Sequence, residues 1–410
     1  MFSRRWWGVA SVLVATLPVA AQEVSPEELK EIEKATAADA AAKTQSPAAA
    51  SAPAPAAAPS GGAFFTMLPD ISVILDTALA AFSVDDPLQQ GGHDPSKNGF
   101  NLQQLELSFA KTVDPYFRFD ANLVFGPDGF ELEEGYATTL ALPANLQLRA
   151  GAFLTKFGRI NATHPHTWDF VDQPFAVSRI FGGDGSRGLG LEASWLAPLP
   201  WFVELDLSAN QADGEGTMRS FYGATDLGVH NPGDFLYTAA LKQFVPFGDD
   251  WSLFFGLSYA NGPNSTAKGN RTDVFGADLY LKFRPISYGS YTIVSLQSEV
   301  FVRRRQVLMD ATLTDVDMYA YLFWRFEQRW ATAARYEYGS RTFGDVADDL
   351  DPYWTGARHR VSANVTFWPT EFSRIRLQGS ADAPAWLSKP TYAAMLALEV
   401  VVGTHGAHKF

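Results

Sequence analysis

The chain contains no cysteine among its 410 residues. Disulfides and thiolate metal sites are therefore excluded. Positive charge is short as well. Lysine and arginine number 32 against 45 aspartates and glutamates, a formal net charge of -13. Phosphate backbones are bound by clustered basic side chains, so nucleic acid is excluded as a partner. Beyond the first 21 residues no apolar run reaches the roughly 18–20 residues that a membrane-spanning helix needs. Histidine is scarce, at seven. No strand pairs a serine and a histidine at a spacing that suggests a nucleophile, so no enzyme and no cofactor are expected.

The N-terminus has the build of an export signal over residues 1–21. Arg4 and Arg5 form a positive start, and Gly8 to Ala21 is apolar but too short to span a bilayer. Val19-Ala20-Ala21 places small residues at the cleavage position. Ser25-Pro26-Glu27-Glu28 follows as a helix start, with a capping serine, proline in the first turn and glutamate closing a capping box. Residues 22–44 are expected to be a short periplasmic helical segment. Residues 45–67, mostly Ala, Pro, Ser and Gly, read as a linker with no means of forming a core.

What the chain has in plenty is alternation. In Tyr116–Phe125 the residues Phe117, Phe119, Ala121, Leu123 and Phe125 are apolar, while Arg118, Asp120 and Asn122 stand between them. Successive strand side chains point to opposite faces, so one face is hydrophobic and the other charged. Sixteen such segments run from Ile71–Ser83 to Thr391–Gly403. The connections largely alternate short and long, with Gly126-Pro127-Asp128-Gly129 short where a long one is due. The expected fold over residues 68–410 is all-β: a transmembrane antiparallel barrel of about 16 strands, with 14 and 18 as the neighbouring counts. Aromatics, 14% of the chain, suit girdles at two membrane interfaces. A soluble sandwich would leave the apolar stripes without a purpose.

The polar face then lines the lumen. Candidate pore-lining residues are Arg118, Asp120, Glu131, Glu133, Arg149, Arg159, Glu204, Asp206, Arg325, Arg335, Arg360, Arg374 and Arg376. Acids gather in earlier strands and arginines in later ones, which predicts opposing walls and a field across the pore. The same charges could instead be ion pairs filling a narrow lumen. The segment Phe157–Gly183 is long, aromatic and polar, and is expected to fold inward. Its His164-Pro165-His166 is a candidate zinc ligand pair.

Phe130-Glu131-Leu132-Glu133-Glu134-Gly135-Tyr136, then Leu146–Gly151, then Phe157-Gly158-Arg159-Ile160-Asn161, resemble the phosphate-selective porin superfamily. Phe157–Pro174 is also similar to proteins labelled zinc-regulated outer-membrane receptors. The resemblance implies sixteen strands, a place in the bacterial outer membrane, lipid as neighbour, and a possible homotrimer. The expected function is passive diffusion of small hydrophilic solutes or ions, set by lumen size, the inward loop and lumen charge. The alternative is a receptor or zinc-linked uptake barrel. Two departures stand out: lumen acids match or outnumber bases, and the roughly 46 residues before the barrel are too few for a TonB-dependent plug.

Overall fold

Residues 360–366 alternate without a break between polar side chains shielded from solvent and apolar ones exposed to it. Arg358, Arg360, Ser362, Asn364 and Thr366 are buried, while Val361 and Val365 are exposed. A soluble sheet has the opposite arrangement. The structure, a computed structural model, describes residues 69–126, 129–212, 219–222, 228–286, 291–308 and 311–403. The expected signal, helical segment and linker, residues 1–67, lie outside the described residues.

Sixteen strands follow one another. The first half comprises β1 (Asp70–Phe82), β2 (Gly99–Thr112), β3 (Phe117–Gly126), β4 (Gly129–Thr139), β5 (Leu146–Leu154), β6 (Arg187–Leu196), β7 (Phe202–Gln211) and β8 (Phe235–Phe247). The second comprises β9 (Trp251–Pro263), β10 (Arg271–Phe283), β11 (Ile293–Gln306), β12 (Thr312–Glu327), β13 (Trp330–Gly339), β14 (Arg358–Thr370), β15 (Ser373–Pro384) and β16 (Thr391–Gly403). Each pairs antiparallel with its neighbours in sequence, and β1 closes on β16 from Ser72–Gly403 to Phe82–Ala393. Closure leaves no sheet edge unpaired, which a lipid environment requires. The expected sixteen-strand count therefore holds. One seam is short: β4 meets β5 only over Gly135–Thr138.

The outer surface is zoned along the barrel axis. Among the described residues the five exposed tryptophans, Trp195, Trp201, Trp251, Trp324 and Trp330, lie at the end with the short turns. At the opposite end Phe100, Phe130, Tyr237, Tyr259, Tyr336 and Tyr392 are exposed. Between these belts the exposed side chains are aliphatic, among them Leu132, Leu207, Leu257, Leu322, Val365, Leu377 and Leu396. Two aromatic girdles around an aliphatic band are the outer surface of a membrane barrel. Among the described residues, no helix is long and apolar enough to cross a membrane.

Candidate functional site

The connection from β5 to β6 turns into the lumen. Asn161 joins its two stems: its amide donates to the carbonyls of Thr155 and Ser186, 2.9 Å each, and accepts the Ser186 N–H at 2.7 Å. Phe157 is fully buried and packs on Phe181 and Phe301, with ring separations of 5.0 and 6.0 Å. Gly158 has φ of +60°, and a Cβ there would lie 2.1 Å from the Glu299 carboxylate. That close approach is used. Glu299 accepts the N–H groups of Arg159 at 3.0 Å and Ile160 at 2.8 Å. The Phe-Gly pair thus has a physical basis: the ring fills the core, and the glycine lets the backbone sit on a wall carboxylate.

Further along, the loop lies against β12 to β15, and the wall arginines hold it there. Arg335 donates to the Asp172 carboxylate at 2.6 Å and to its carbonyl at 2.9 Å. Arg360 donates to the Gln173 carbonyl at 3.0 Å and lies 3.3 Å from Asp172. Arg374 and Arg376 both donate to the Trp168 carbonyl, at 3.0 and 2.8 Å. A short helix, α1 (Phe175–Phe181), follows and is wholly buried. Its Arg179 pairs with Asp317 at 3.0 Å and sits 3.5 Å over the Trp354 ring. Phe157, Phe170, Val177, Ile180 and Phe181 join Phe301, Tyr319 and Tyr321 in one apolar core inside the barrel.

The later-strand arginines expected to line the pore therefore point inward, but Arg335, Arg360, Arg374 and Arg376 divide their donors between the loop and wall residues such as Glu337 and Glu399. Arg335, Arg360, Arg374 and Arg376 are each under a tenth exposed. Arg325 is similarly buried, stacked 4.4 Å from the Trp368 ring. Arg159 donates to Gln297 at 2.9 Å and lies 3.9 Å over Tyr280. The earlier strands are less covered. Arg118 pairs with Asp120 at 2.7 Å and Arg149 with Glu192 at 2.9 Å. Lys156, not among the pore candidates from sequence, bridges Glu204 and Asp206 at 2.7 and 2.8 Å. Glu131 pairs with Arg187.

Two bulges shape this acidic side. Opposite β3, Asn122 pairs with Glu134 and Leu123 with Leu132, so Glu133 is the extra residue. A bulge re-aims side chains, and here Glu133 and Glu134 are consecutive yet both buried. Opposite β1, Asp76 pairs with Gln104 and Thr77 with Leu102, which leaves Gln103 extra. Gln103 donates to the carbonyls of His93 and Val171, at 2.8 and 3.2 Å.

His164 of the loop is clasped by this pair of glutamates. Its Nδ1 is 3.1 Å from Glu133 and its Nε2 is 2.9 Å from Glu134. Burial opposes a charge on its ring, but the hydrogen bonds to Glu133 and Glu134 outweigh it and raise the pKa well above the ordinary value. His166 stacks on His164 at 5.7 Å and reaches Glu106 at 3.1 Å. His93, from the β1–β2 connection, approaches the other Glu133 oxygen at 3.6 Å. Elsewhere in the loop, burial opposes ionisation of Asp172, but Arg335 and Arg360 override it and hold the pKa down at about 2. Burial, then Asp172, pushes Asp94 up to about 6.

Cavities lie on both sides of the Glu133 cluster. One of about 610 Å³, towards the long-loop end, is lined by His93, Asp94, Lys97, Glu131 and Asp184. Another of about 370 Å³, towards the short-turn end, is lined by Glu106, Arg118, Asp120, Glu134, Arg149, Lys156, His164 and His166. A third of about 290 Å³ lies between the loop and β10–β13, lined in part by Arg159, Asp169, Tyr280 and Tyr321.

No family model matches the chain. An uncharacterized protein of Aquifex aeolicus (strain VF5) is 32% identical over 389 residues, spanning 84% of this chain and 80% of that one. The two belong to one family. Among solved structures, the outer membrane channel DcaP of Acinetobacter baumannii is similar with a TM-score of 0.57 and 12% identity, over 82% of this chain and 97% of that chain. The anion-selective porin from Comamonas acidovorans gives 0.53 and 10%, over 82% and 99%. OprB of Pseudomonas putida gives 0.52 and 10%, over 82% and 94%. These likenesses establish a porin-type fold. With the lipid-facing belt, they place the chain in the outer membrane.

Proposed function

We propose that this barrel is a porin-like channel through which small hydrophilic solutes or ions diffuse passively. The observation that carries the reading is the inward loop. It crosses a lumen lined by polar side chains and leaves polar cavities beside the β2–β5 wall. Steric control comes from that loop, and electrostatic control from the side chains left uncovered. The lining of the cavity beside that wall mixes Arg118, Arg149 and Lys156 with Glu106, Asp120 and Glu134. Where the two cavities approach each other the groups are Glu106, Glu133 and Glu134, so we assign a preference for cations over anions. A phosphate-selective pore needs an uncovered ladder of basic side chains. Here four of the expected arginines hold the loop instead. In this reading residues 1–21 direct export and residues 22–67 form a periplasmic tether.

The test is solute uptake by liposomes carrying the refolded full-length chain. Swelling in small neutral sugars, with a rate that falls as solute size rises, is the expected result. Liposomes that stay impermeable to the smallest sugar refute the channel.

A further inference from the structure

Most buried carboxylates of this lumen meet an arginine or lysine. Asp172 has Arg335 and Arg360, Glu337 has Arg360, Asp382 has Arg358, and Asp206 has Lys156. Glu106, Glu133 and Glu134 depart from this. Each is at least nine-tenths buried. Among the described residues no lysine or arginine forms an ion pair with their carboxylates; Arg187 reaches only the backbone carbonyl of Glu133, at 3.3 Å, and the ionisable side chains paired with the carboxylates are imidazoles. Three carboxylates gathered away from water need positive charge beside them, because an uncompensated buried charge is costly, and either a protonated imidazole or a metal ion bound in its place supplies it.

The donor geometry indicates which cation. One donor atom from each of Glu106, Glu133 and His164 lies within 4.8 Å of the other two. The three come from β2, the β4 bulge and the inward loop. Imidazole nitrogen with carboxylate oxygen is a ligand set for zinc-class metals, whose ligand atoms sit about 2.0–2.2 Å from the ion. The outer groups are also in place. A metal-binding histidine typically gives its other ring N–H to a carboxylate. With the Nδ1 of His164 facing Glu133, its Nε2 is 2.9 Å from Glu134. His166 supports Glu106 and His93 supports Glu133 in the same way.

We infer that Glu106, Glu133 and His164 form a binding site for a divalent transition metal of the zinc class, placed between the two cavities. A bound ion there ties the inward loop to the β2–β4 wall and narrows the passage beside it. The channel reading does not supply this site, and binding can be measured without conduction.

The experiment titrates Zn²⁺ into the refolded full-length barrel in detergent against a chromophoric chelator, with folding checked by heat-modifiable gel migration. Wild type and His359→Ala, an outer-face control, bind one equivalent. Glu133→Gln, which keeps side-chain shape, and His164→Ala lose that binding. Glu134→Gln, which meets His164 only at the far ring nitrogen, weakens it about ten- to a hundredfold. In bilayers Zn²⁺ lowers the wild-type current and leaves that of Glu133→Gln unchanged. The site is refuted if wild type shows no saturable zinc binding, if folded Glu133→Gln and His164→Ala both bind like wild type, or if equimolar Ca²⁺ or Mg²⁺ displaces zinc. Zinc binding with no change in current refutes its placement between the cavities. A barrel that binds zinc but never conducts refutes the channel and leaves the metal site standing.

Discussion

Replacing Asp172 with asparagine isolates the tie between loop and wall. The carboxylate is fully buried and accepts from Arg335 at 2.6 Å and Gln378 at 2.7 Å, with Arg360 at 3.3 Å. Asp172→Asn keeps the volume and an acceptor oxygen but removes the charge that two buried arginines face. Breaking a buried ion pair from one side costs about 3–5 kcal/mol, or roughly two to three and a half powers of ten in the ratio of docked to released loop. Glu337 still compensates Arg360 at 2.7 Å, which puts the expected cost at the lower end, about 3 kcal/mol. The stem remains fixed by Asn161 and by the Glu299 clasp. Release is therefore confined to the stretch around Trp168–Pro174, and the barrel stays folded. Single-channel recording reads this directly. The variant is expected to show larger conductance with rapid flicker, at unchanged gel migration. A variant with wild-type conductance and noise refutes the claim that these arginines hold the loop.

Gly158→Ala places a Cβ against Glu299 and forces alanine into the left-handed region, which alone costs about 1–2 kcal/mol. Lowered thermal stability and increased proteolysis within the loop are expected, while a wild-type melting profile contradicts the clasp. Leu377→Arg, on the lipid face of β15 opposite Val365 and Leu396, should cost about 2–4 kcal/mol in reversible refolding into liposomes. Leu377→Met should cost almost nothing, and equal stability of the two variants rejects the membrane-facing assignment. Loop docking should also depend on pH in two opposed ways. The Asp172 pKa is lowered from 3.8 to about 2, so its contribution is present above about 4 and lost as pH falls through 2. The Asp94 pKa is raised from 3.8 to about 6, so its contribution is present at low pH and lost as pH rises through 6. Docking, followed by proteolytic protection of the loop, should be greatest near pH 4, weakening towards pH 2 as Asp172 is protonated and towards pH 6 as Asp94 ionises; protection that rises steadily from pH 3 to 8 contradicts the Asp94 assignment, and protection unchanged between pH 4 and 2 contradicts that of Asp172.

The strands were legible in the sequence because a period of two is a local signal. The segment expected at Thr391–Gly403 has those same bounds in the structure, and Tyr116–Phe125 shifts by one residue at each end. The face assignment of Arg118, Asp120, Arg335 and Arg360 follows from the same alternation. What lies across the lumen from them does not. Arg335 meets Asp172 across 163 positions and Glu299 meets Arg159 across 140, and alternation carries no information at that range. The expected basic wall is present in the barrel but covered by the loop. His164 and His166 stood out as a pair, whereas their carboxylate partners depend on a bulge. Its trace in the sequence is small: after Glu131-Leu132-Glu133 the alternation breaks at Glu134. A doubled charge inside an alternating strand is the signal that could have located the extra residue.

The central claim, a passive channel bounded by an inward loop and an acidic junction, is tested most directly in a planar bilayer. The refolded full-length chain would be added across a KCl gradient at neutral pH. Stepwise current increments with a reversal potential on the cation-selective side are predicted. A membrane that stays sealed at protein levels where gel migration shows folded barrels contradicts the channel, and a strongly anion-selective reversal potential contradicts the acidic junction.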